Sequence, residues 1–363
     1  MSVMVINMQV DGLVGTVIAF LLALAFMALH RLSASADPNL LEHRASHIRP
    51  TSRLGGVAVA AAVLIALTYA KVPVKFDILL CALPVFLMGL SEDLHYTIKP
   101  KIRLVIASVS ASAFIWVQGS LIQSVGLPIL DDALSLIVVS TIFTIFCLVA
   151  LTNALNFIDG INGLASGKTM IVAGAIWMFS ISYSEPVLAV LSLAIFTSTL
   201  GLFMLNYPQG RIFMGDAGAY TLGFLLAACL ITLHHRHPEI SPWAILLVIF
   251  WPIADMAHSI VRRRLGGKGP DRADMMHMHH VVMRTLTAYS NGRITRQIAN
   301  PLATALILPL ASVPVICGYV FRENNALCMS LALAFFVGFF ALHTFLVRLS
   351  KRRASPLKLI GRV

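Results

Sequence analysis

The residues able to do chemistry in this chain fall into four short clusters set between long apolar stretches. The first is Gly89-Leu90-Ser91-Glu92-Asp93. Its adjacent carboxylates can bind a cation, act as a base, or end a helix in solvent. The second runs from Asn153 to Gly163 and offers Asn153, Asn156, Asp159 and Asn162 with Gly160 and Gly163 among them. It is either a plain turn, for which Asn, Asp and Gly are suited, or a ligand loop opening into a helix N-terminus, a place that favours phosphate. The third joins Asn206-Tyr207-Pro208 to Phe213-Met214-Gly215-Asp216-Ala217-Gly218. One acid between small residues suits Mg²⁺, which is held by one or two carboxylates plus substrate phosphates; a tight loop with a solvated acid is the bland reading. The fourth is Asp274-Met275-Met276-His277-Met278-His279-His280, near Arg262, Arg263, Arg264 and Arg272. Adjacent His279 and His280 point apart on a helix and no HExxH is present, which argues against zinc. Phosphate contact fits this mixture better, a solvated basic loop being the alternative for the arginines. Asp255, inside an apolar stretch, is either functional or a packing partner.

Membrane helices must hold these clusters. The chain has 363 residues, 58% of them hydrophobic and 12% charged, where a soluble domain carries about 25% charged residues. A spanning helix needs roughly 20 mainly apolar residues. Such stretches are expected at 12–30, 55–70, 76–90, 102–119, 133–152, 164–183, 186–205, 217–234, 242–260, 298–321 and 325–347. The expected fold is therefore all-α, a polytopic bundle of about eleven transmembrane helices forming one integral-membrane domain over 1–363. The five cysteines lie in apolar runs without a CxxC pair and read as small buried hydrophobes. Residues 1–11 contain no Lys or Arg, so a cleaved leader is not expected.

The net charge of +11 fits a nucleic-acid binder or a membrane protein with basic loops, and its distribution decides for the second. With the N-terminus periplasmic and the C-terminus cytoplasmic, the inner loops are 31–54, 91–103, 153–163, 206–218 and 261–297, followed by a basic tail at 348–363. Lys168 is counted with the inner cations. Of the 27 Lys and Arg, only Lys71, Lys75, Arg236 and Arg322 then fall outside, as the positive-inside rule requires. All four clusters lie on the same, cytoplasmic face. No nucleic-acid partner is expected.

Taken in order, from Arg53-Leu54-Gly55-Gly56 to the histidine loop, the clusters resemble the polyprenyl-phosphate N-acetylhexosamine-1-phosphate transferases. These are glycosyltransferase family 4, with the WecA-type enzymes and the MraY translocase among them. The stretch Arg49-Pro50-Thr51-Ser52-Arg53-Leu54-Gly55-Gly56 favours the WecA-type branch. The resemblance covers nearly the whole chain and implies a reaction. A polyprenyl phosphate, undecaprenyl phosphate in bacteria, attacks the β-phosphorus of a UDP-N-acetylhexosamine, most simply UDP-GlcNAc, and UMP leaves. The product would start O-antigen or another surface glycan. It also implies Mg²⁺, with Mn²⁺ as the alternative ion, a membrane-lipid environment in the bacterial inner membrane, and an assembly that could be a homodimer.

The resemblance gives residue roles too. Asp216 matches the metal-binding acid. Glu92 and Asp93 occupy the place of an Asp-Asp pair that positions or deprotonates the lipid phosphate. Asp159 matches a loop acid near the nucleotide, and Asn156 is a nucleotide-side amide. Phe213 matches an aromatic stacking on uracil, and Asn206 a nucleoside-side polar residue. His277, His279 and His280 match a histidine motif for diphosphate handling. Two departures stand out: Glu92 replaces the usual first Asp, and Asn162 stands where relatives often carry Asp, its amide suited to the uracil edge. The competing class is a transporter or lipid flippase, but those place ionisable groups near the midplane and carry internal repeats. An intramembrane metalloprotease lacks its HExxH.

Overall fold

The computed structural model describes residues 16–25, 27–28, 51–70, 77–266, 274, 276–290 and 293–360. Among the described residues it is helical, with no strand. The helices are α1 (Thr16–Ala25), α2 (Gly55–Tyr69), α3 (Asp77–Asp93), α4 (Pro100–Gln118), α5 (Pro128–Leu134), α6 (Ile137–Ile158) and α7 (Leu164–Ser182). They continue as α8 (Pro186–Asn206), α9 (Gly215–Arg236), α10 (Pro242–Val248), α11 (Phe250–Leu265), α12 (Met278–Tyr289), α13 (Arg296–Val320) and α14 (Asn325–Ile360).

Where it is described, each stretch expected to span falls on helix, 242–260 on the two helices α10 and α11. By length and composition, seven described helices can cross a membrane, or eight if α10 and α11 form one bent span. The difference from eleven lies in α1, of which ten residues are described as helix, and in the short helices α2 and α3. The 15 residues of α2 rise only about 22 Å at 1.5 Å each, below the roughly 30 Å of a bilayer core. The 17 residues of α3 end in Glu92 and Asp93. Two helices had no expected counterpart: α5, opened by Pro128, and α12, which lies between α11 and α13.

The bundle is built around α9, whose spanning window is wholly buried. Small residues make that possible. Gly218 of α9 lies so close to Gly56 of α2 that a Cβ on either would overlap the other's Cα. Gly89 of α3 abuts the Asp216 backbone, and Gly223 abuts Thr152 of α6. Close backbone approach through small residues is the usual way membrane helices gain packing contacts. In contrast, α4 and α14 are mostly uncovered, only 22% and 17% of their spanning windows being buried. Their large apolar residues, Trp116 and Val337 among them, face outward, as lipid-facing positions would.

Several loop boundaries move. The segment expected as loop 153–163 stays helical to Ile158, because Leu151, Ala154, Leu155 and Ile158 are buried at i, i+3, i+4 and i+7 spacing. Helix α4 starts at Pro100, and α9 takes over the last part of 206–218. In 261–297, α11 runs to Leu265, α12 follows, and α13 starts at Arg296; α14 continues through the tail to Ile360. Most of loop 31–54, Lys71, Lys75, Lys268, Arg272 and residues 361–363 lie outside the described residues.

Lys168 lies near the start of α7, where the sequence places it within the span 164–183, and it is fully buried. Its ammonium donates to the carbonyls of Val248 and Ala311, each at 3.2 Å. Val248 ends α10, and Pro252, four residues on, has no N–H to offer that carbonyl. The axis turns by 85° between α10 and α11 at this point. The lysine supplies the donor that the proline removes.

Candidate active site

One end of the bundle gathers the polar clusters, and backbone pairing sets the frame. The Phe213 N–H donates to the Ser52 carbonyl at 2.9 Å, while Gly55 and Gly56 donate to the carbonyls of Phe213 and Met214 at 3.0 and 2.7 Å. Gly215 then turns the chain into α9 with φ +72, and a Cβ there would overlap the Arg53 carbonyl. The first N–H groups of a helix have no partner inside it, and here α3 supplies one. Asp93 accepts from the Asp216 N–H at 2.9 Å and from the Ala217 N–H at 2.8 Å. A carboxylate at a helix N-terminus is also favoured by the helix dipole. Asp93 thereby fixes where α9 begins, and so where Asp216 points.

Asp216 lies in the first turn of α9. Its Oδ1 accepts from Asn156 Nδ2 at 2.6 Å, so the last turn of α6 orients it; Oδ2 has no hydrogen-bond partner among the described residues. Glu92 points to α4 and pairs with Arg103 at 2.9 Å. Arg103 also donates to the Tyr220 hydroxyl at 3.2 Å and to the Ile98 carbonyl at 3.0 Å. The second oxygen of Glu92 is buried without a partner. Asp159 follows the end of α6. Burial, then the charges of Asp216 and Asp93, push its carboxyl up to about 7, against the pull of Arg53 and the Gly215 N–H.

The two asparagines expected near the nucleotide brace the loops. Asn206 accepts from the Gly163 N–H at 2.6 Å and donates to the Ile212 carbonyl at 2.7 Å. Asn162 donates through Nδ2 to the Pro208 carbonyl at 2.8 Å, and its backbone N–H donates to Asn300 Oδ1 at 2.8 Å. Thr304 donates to the Asn162 carbonyl at 2.7 Å. Asn162 Oδ1 is buried and unpaired. The backbone of Phe213 is fixed by its pairing with Ser52 and Gly55, and its side chain is partly buried.

The histidine loop closes one side. Phe157 stacks on His277 with centroids 5.7 Å apart, and Gly160 has room for no Cβ because His279 Nε2 lies against it. His277 Nδ1 lies 3.0 Å from Asp255 Oδ2, and Asp255 Oδ1 accepts the Met278 N–H at 2.9 Å. Ser259 and Arg262 donate to Asp274, which lowers that carboxyl to about 2 despite burial. Burial and the neighbouring His280 and His277 hold His279 well below the usual imidazole range. Burial, with His277 and Arg296, brings His280 to about 4.

Arg103, Tyr220, Asn300 and Thr304 carried no catalytic signal of their own in the sequence, whereas Asp274 stood in the fourth cluster without a role. The four are single residues on helices, and Tyr220, Asn300 and Thr304 have partners more than a hundred positions away. Among the described residues, no three His, Cys, Asp or Glu are arranged to hold a metal alone. The donors nevertheless suit Mg²⁺, which completes its shell with phosphate and water. Asp216 offers an open oxygen, Glu92 has an orphaned one, and the carboxyl of Asp159, raised first by burial, also feels the charges of Asp216 and Asp93.

A cavity of about 280 Å³ lies apart from this site, between α5, α6, α9 and α10. It is lined by apolar residues such as Leu130, Phe143, Leu230 and Trp243. It has the walls for hydrocarbon but not the donors for phosphate.

The profile of glycosyl transferase family 4 matches residues 75–234. The chain is 30% identical over 296 residues to a decaprenyl-phosphate N-acetylglucosaminephosphotransferase of Mycobacterium tuberculosis, covering 71% of each protein. It is 28% identical over 352 residues to an undecaprenyl-phosphate alpha-N-acetylglucosaminyl 1-phosphate transferase of Yersinia pestis, covering 93% of this chain and 92% of that one. The protein of that name in Escherichia coli K12 is 34% identical over 201 residues, 53% of each chain.

Proposed function

The chain belongs to glycosyl transferase family 4, and from that premise we propose that it transfers GlcNAc-1-phosphate from UDP-GlcNAc to undecaprenyl phosphate, releasing UMP. The observation that carries the reading is the assembly of Asp93, Asp159, Asp216 and Asn156 around the start of α9, with His279 against Gly160. The relatives act on polyprenyl phosphates and GlcNAc-phosphate by name, and the donors here suit a diphosphate.

A phosphate oxygen of the lipid forms a bond to the β-phosphorus of the nucleotide sugar. The bond from that phosphorus to the bridging oxygen breaks, and the electron pair leaves with UMP. One phosphoanhydride replaces another, so the step is close to isoenergetic and reversible. Phosphoryl transfer is mainly positioning and electrostatics. Asp216, aided by Glu92 or Asp159, would hold Mg²⁺ or Mn²⁺, which when bound neutralises charge on the diphosphate. Where Glu92 rather than Asp159 aids the metal, Asp159 is suited to take a proton from the lipid phosphate, a role that requires a carboxylate within hydrogen-bond reach of that proton. His279 and His280 are suited to meet anionic oxygens. Phe213, Asn206 and Asn162 form the nucleoside side, the two amides acting through the loops they brace.

The protein is a multi-pass protein of the bacterial inner membrane, and its site faces the cytoplasm, where UDP-sugars are found. The lipid-linked sugar would begin O-antigen or another surface glycan. Membranes containing the protein should convert UDP-GlcNAc and undecaprenyl phosphate to radiolabelled lipid with stoichiometric UMP. EDTA should stop the reaction and Mg²⁺ restore it. A panel of UDP-sugars identifies the donor, and failure with every UDP-N-acetylhexosamine would refute the assignment. Asp216→Asn should lower turnover at least about 10²-fold, as loss of a charge-stabilising group does. Membrane insertion should persist, and excess Mg²⁺ should not restore activity.

A further inference from the structure

The turn leading into α12 is tied down on every side. Asp255, 1% exposed in α11, accepts the Met278 N–H with one oxygen and faces His277 Nδ1 with the other. On the opposite edge of the ring, His277 Nε2 lies 3.8 Å from Asp274 Oδ2. Asp274 is itself held by Ser259, Arg262 and the Met276 N–H. The Met276 carbonyl meets His343 Nε2 of α14 at 2.8 Å. The His277 ring is stacked against Phe157 and lies parallel to His279, with 4° between planes. Both of its nitrogens thus face the protein's own carboxylates.

The other two histidines differ. Among the described residues, neither ring nitrogen of His279 has a hydrogen-bond partner, nor does Nδ1 of His280, although all three atoms are buried. His279 Nε2 points at Gly160, one residue past Asp159. Buried polar atoms without partners are rare in folded proteins and call for a reason; a ligand that completes them is one.

We infer that the three histidines divide the work. His277 is a positioning residue, clamped between Asp255 and Asp274, and does not touch substrate. His279 and His280 supply the donors to anionic substrate oxygens. Asp255 is the second positioning residue: it caps α12 and fixes His277, and so sets the direction from which α12 delivers the next two imidazoles. The substrate half of this inference rests on the transferase reading; the clamp does not.

The Nδ2 of an asparagine can replace the Nδ1 of a histidine as donor, but asparagine offers nothing on the far edge of the ring. His277→Ala should cut kcat roughly 100-fold, the loss expected when a group is misplaced by about 1 Å. His277→Asn should recover it to within about tenfold of wild type, with KM for UDP-GlcNAc near wild type in both. His279→Asn and His280→Asn should show no such rescue over the alanine variants. A His277→Asn enzyme as slow as His277→Ala, or with a raised KM, would make His277 a substrate contact and overturn the division. A second measurement needs no turnover. In the purified, substrate-free protein, Asp255→Asn and His277→Ala should lower Tm non-additively, the double variant melting near the weaker single one. Additive losses, as for residues that do not interact, would remove the clamp. A wild type that transfers no sugar phosphate would instead remove the transferase reading, leaving the clamp to be judged by Tm.

Discussion

Two neighbouring carboxylates at the end of α3 take different partners. Asp93 is engaged by two N–H groups of α9, whereas Glu92 reaches across to Arg103 and keeps one oxygen unpaired. The extra methylene of Glu92 serves that reach. Glu92→Gln can still accept from Arg103, while Glu92→Asp falls short of it. Initial rates at saturating substrate should therefore favour Gln over Asp. A loss of about 10²–10⁴-fold in the Gln variant, the range of acid–base catalysis, would assign the free oxygen to the chemistry.

Asp159 gives a pH prediction. Its folded pKa is raised, to about 7 from 3.8, so its favourable contribution is present below about pH 4 and is lost as pH rises through 7. Metal-free protein should have a lower Tm at pH 8 than at pH 5 from this group. Asp159→Asn should remove that part of the slope and stabilise the protein at pH 8 by at most a few kcal/mol, since each tenfold change in proton affinity is worth about 1.4 kcal/mol. Mg²⁺ should stabilise the wild type in the same range. The variant should lose turnover while gaining Tm, as strained functional groups do. Asp216 and Asp159 were legible because glycines and amides surround them in an apolar chain. The bracing roles of Asn162 and Asn206 were not, since an amide suited to a nucleobase is equally suited to a backbone carbonyl elsewhere in the chain.

At the scale of elements, α9 is the part on which the site depends. Gly56 was legible as part of a Gly-Gly pair, but its reason, direct contact with Gly218, appears only when α2 and α9 are packed. Gly56→Ala must push α9 away from α2 and with it the Asp216 backbone. It should lower Tm and reduce turnover at least tenfold, in line with overpacking costs of about 1–3 kcal/mol. Wild-type activity and Tm in this variant would mean that the helices separate without moving the site. Apolar runs located the helices well because lipid imposes one strong pattern. They failed at the break after Val248, where the run of apolar residues continues through an 85° turn, and they did not show what Lys168, near the start of its helix, is buried against. The short helix α12 was hidden for the opposite reason: at 12 residues, with three polar or basic ones in its first seven, it is too short and too polar to show as an apolar run.

At the scale of the whole molecule, the site occupies one end of the bundle, and a second polar network occupies other connections. There Glu185 pairs with Arg236 at 2.7 Å, and Tyr183 donates to Glu323 at 2.7 Å. With the site end in the cytoplasm, these connections face out. In a background lacking the natural cysteines, Glu239→Cys should react with an impermeant maleimide on intact spheroplasts. Gln209→Cys, beside the site loops, should react only after permeabilisation. The reverse labelling would invert the proposed orientation. The charge pattern is the ground for this proposed orientation; it says nothing of the depth of each helix, which depends on packing against neighbours.

The cap that Asp93 places on α9 also has a consequence for biosynthesis. The two residues it joins are 123 positions apart. At about 5–20 residues per second, the ribosome finishes α3 some 6–25 s before the segment it must receive. Throughout that interval Asp93 waits at the membrane without its partners, and the catalytic end cannot exist in any nascent chain that stops short of α9. Chains released early should therefore insert yet remain inert, with an uncapped acidic helix end open to the cell's quality control.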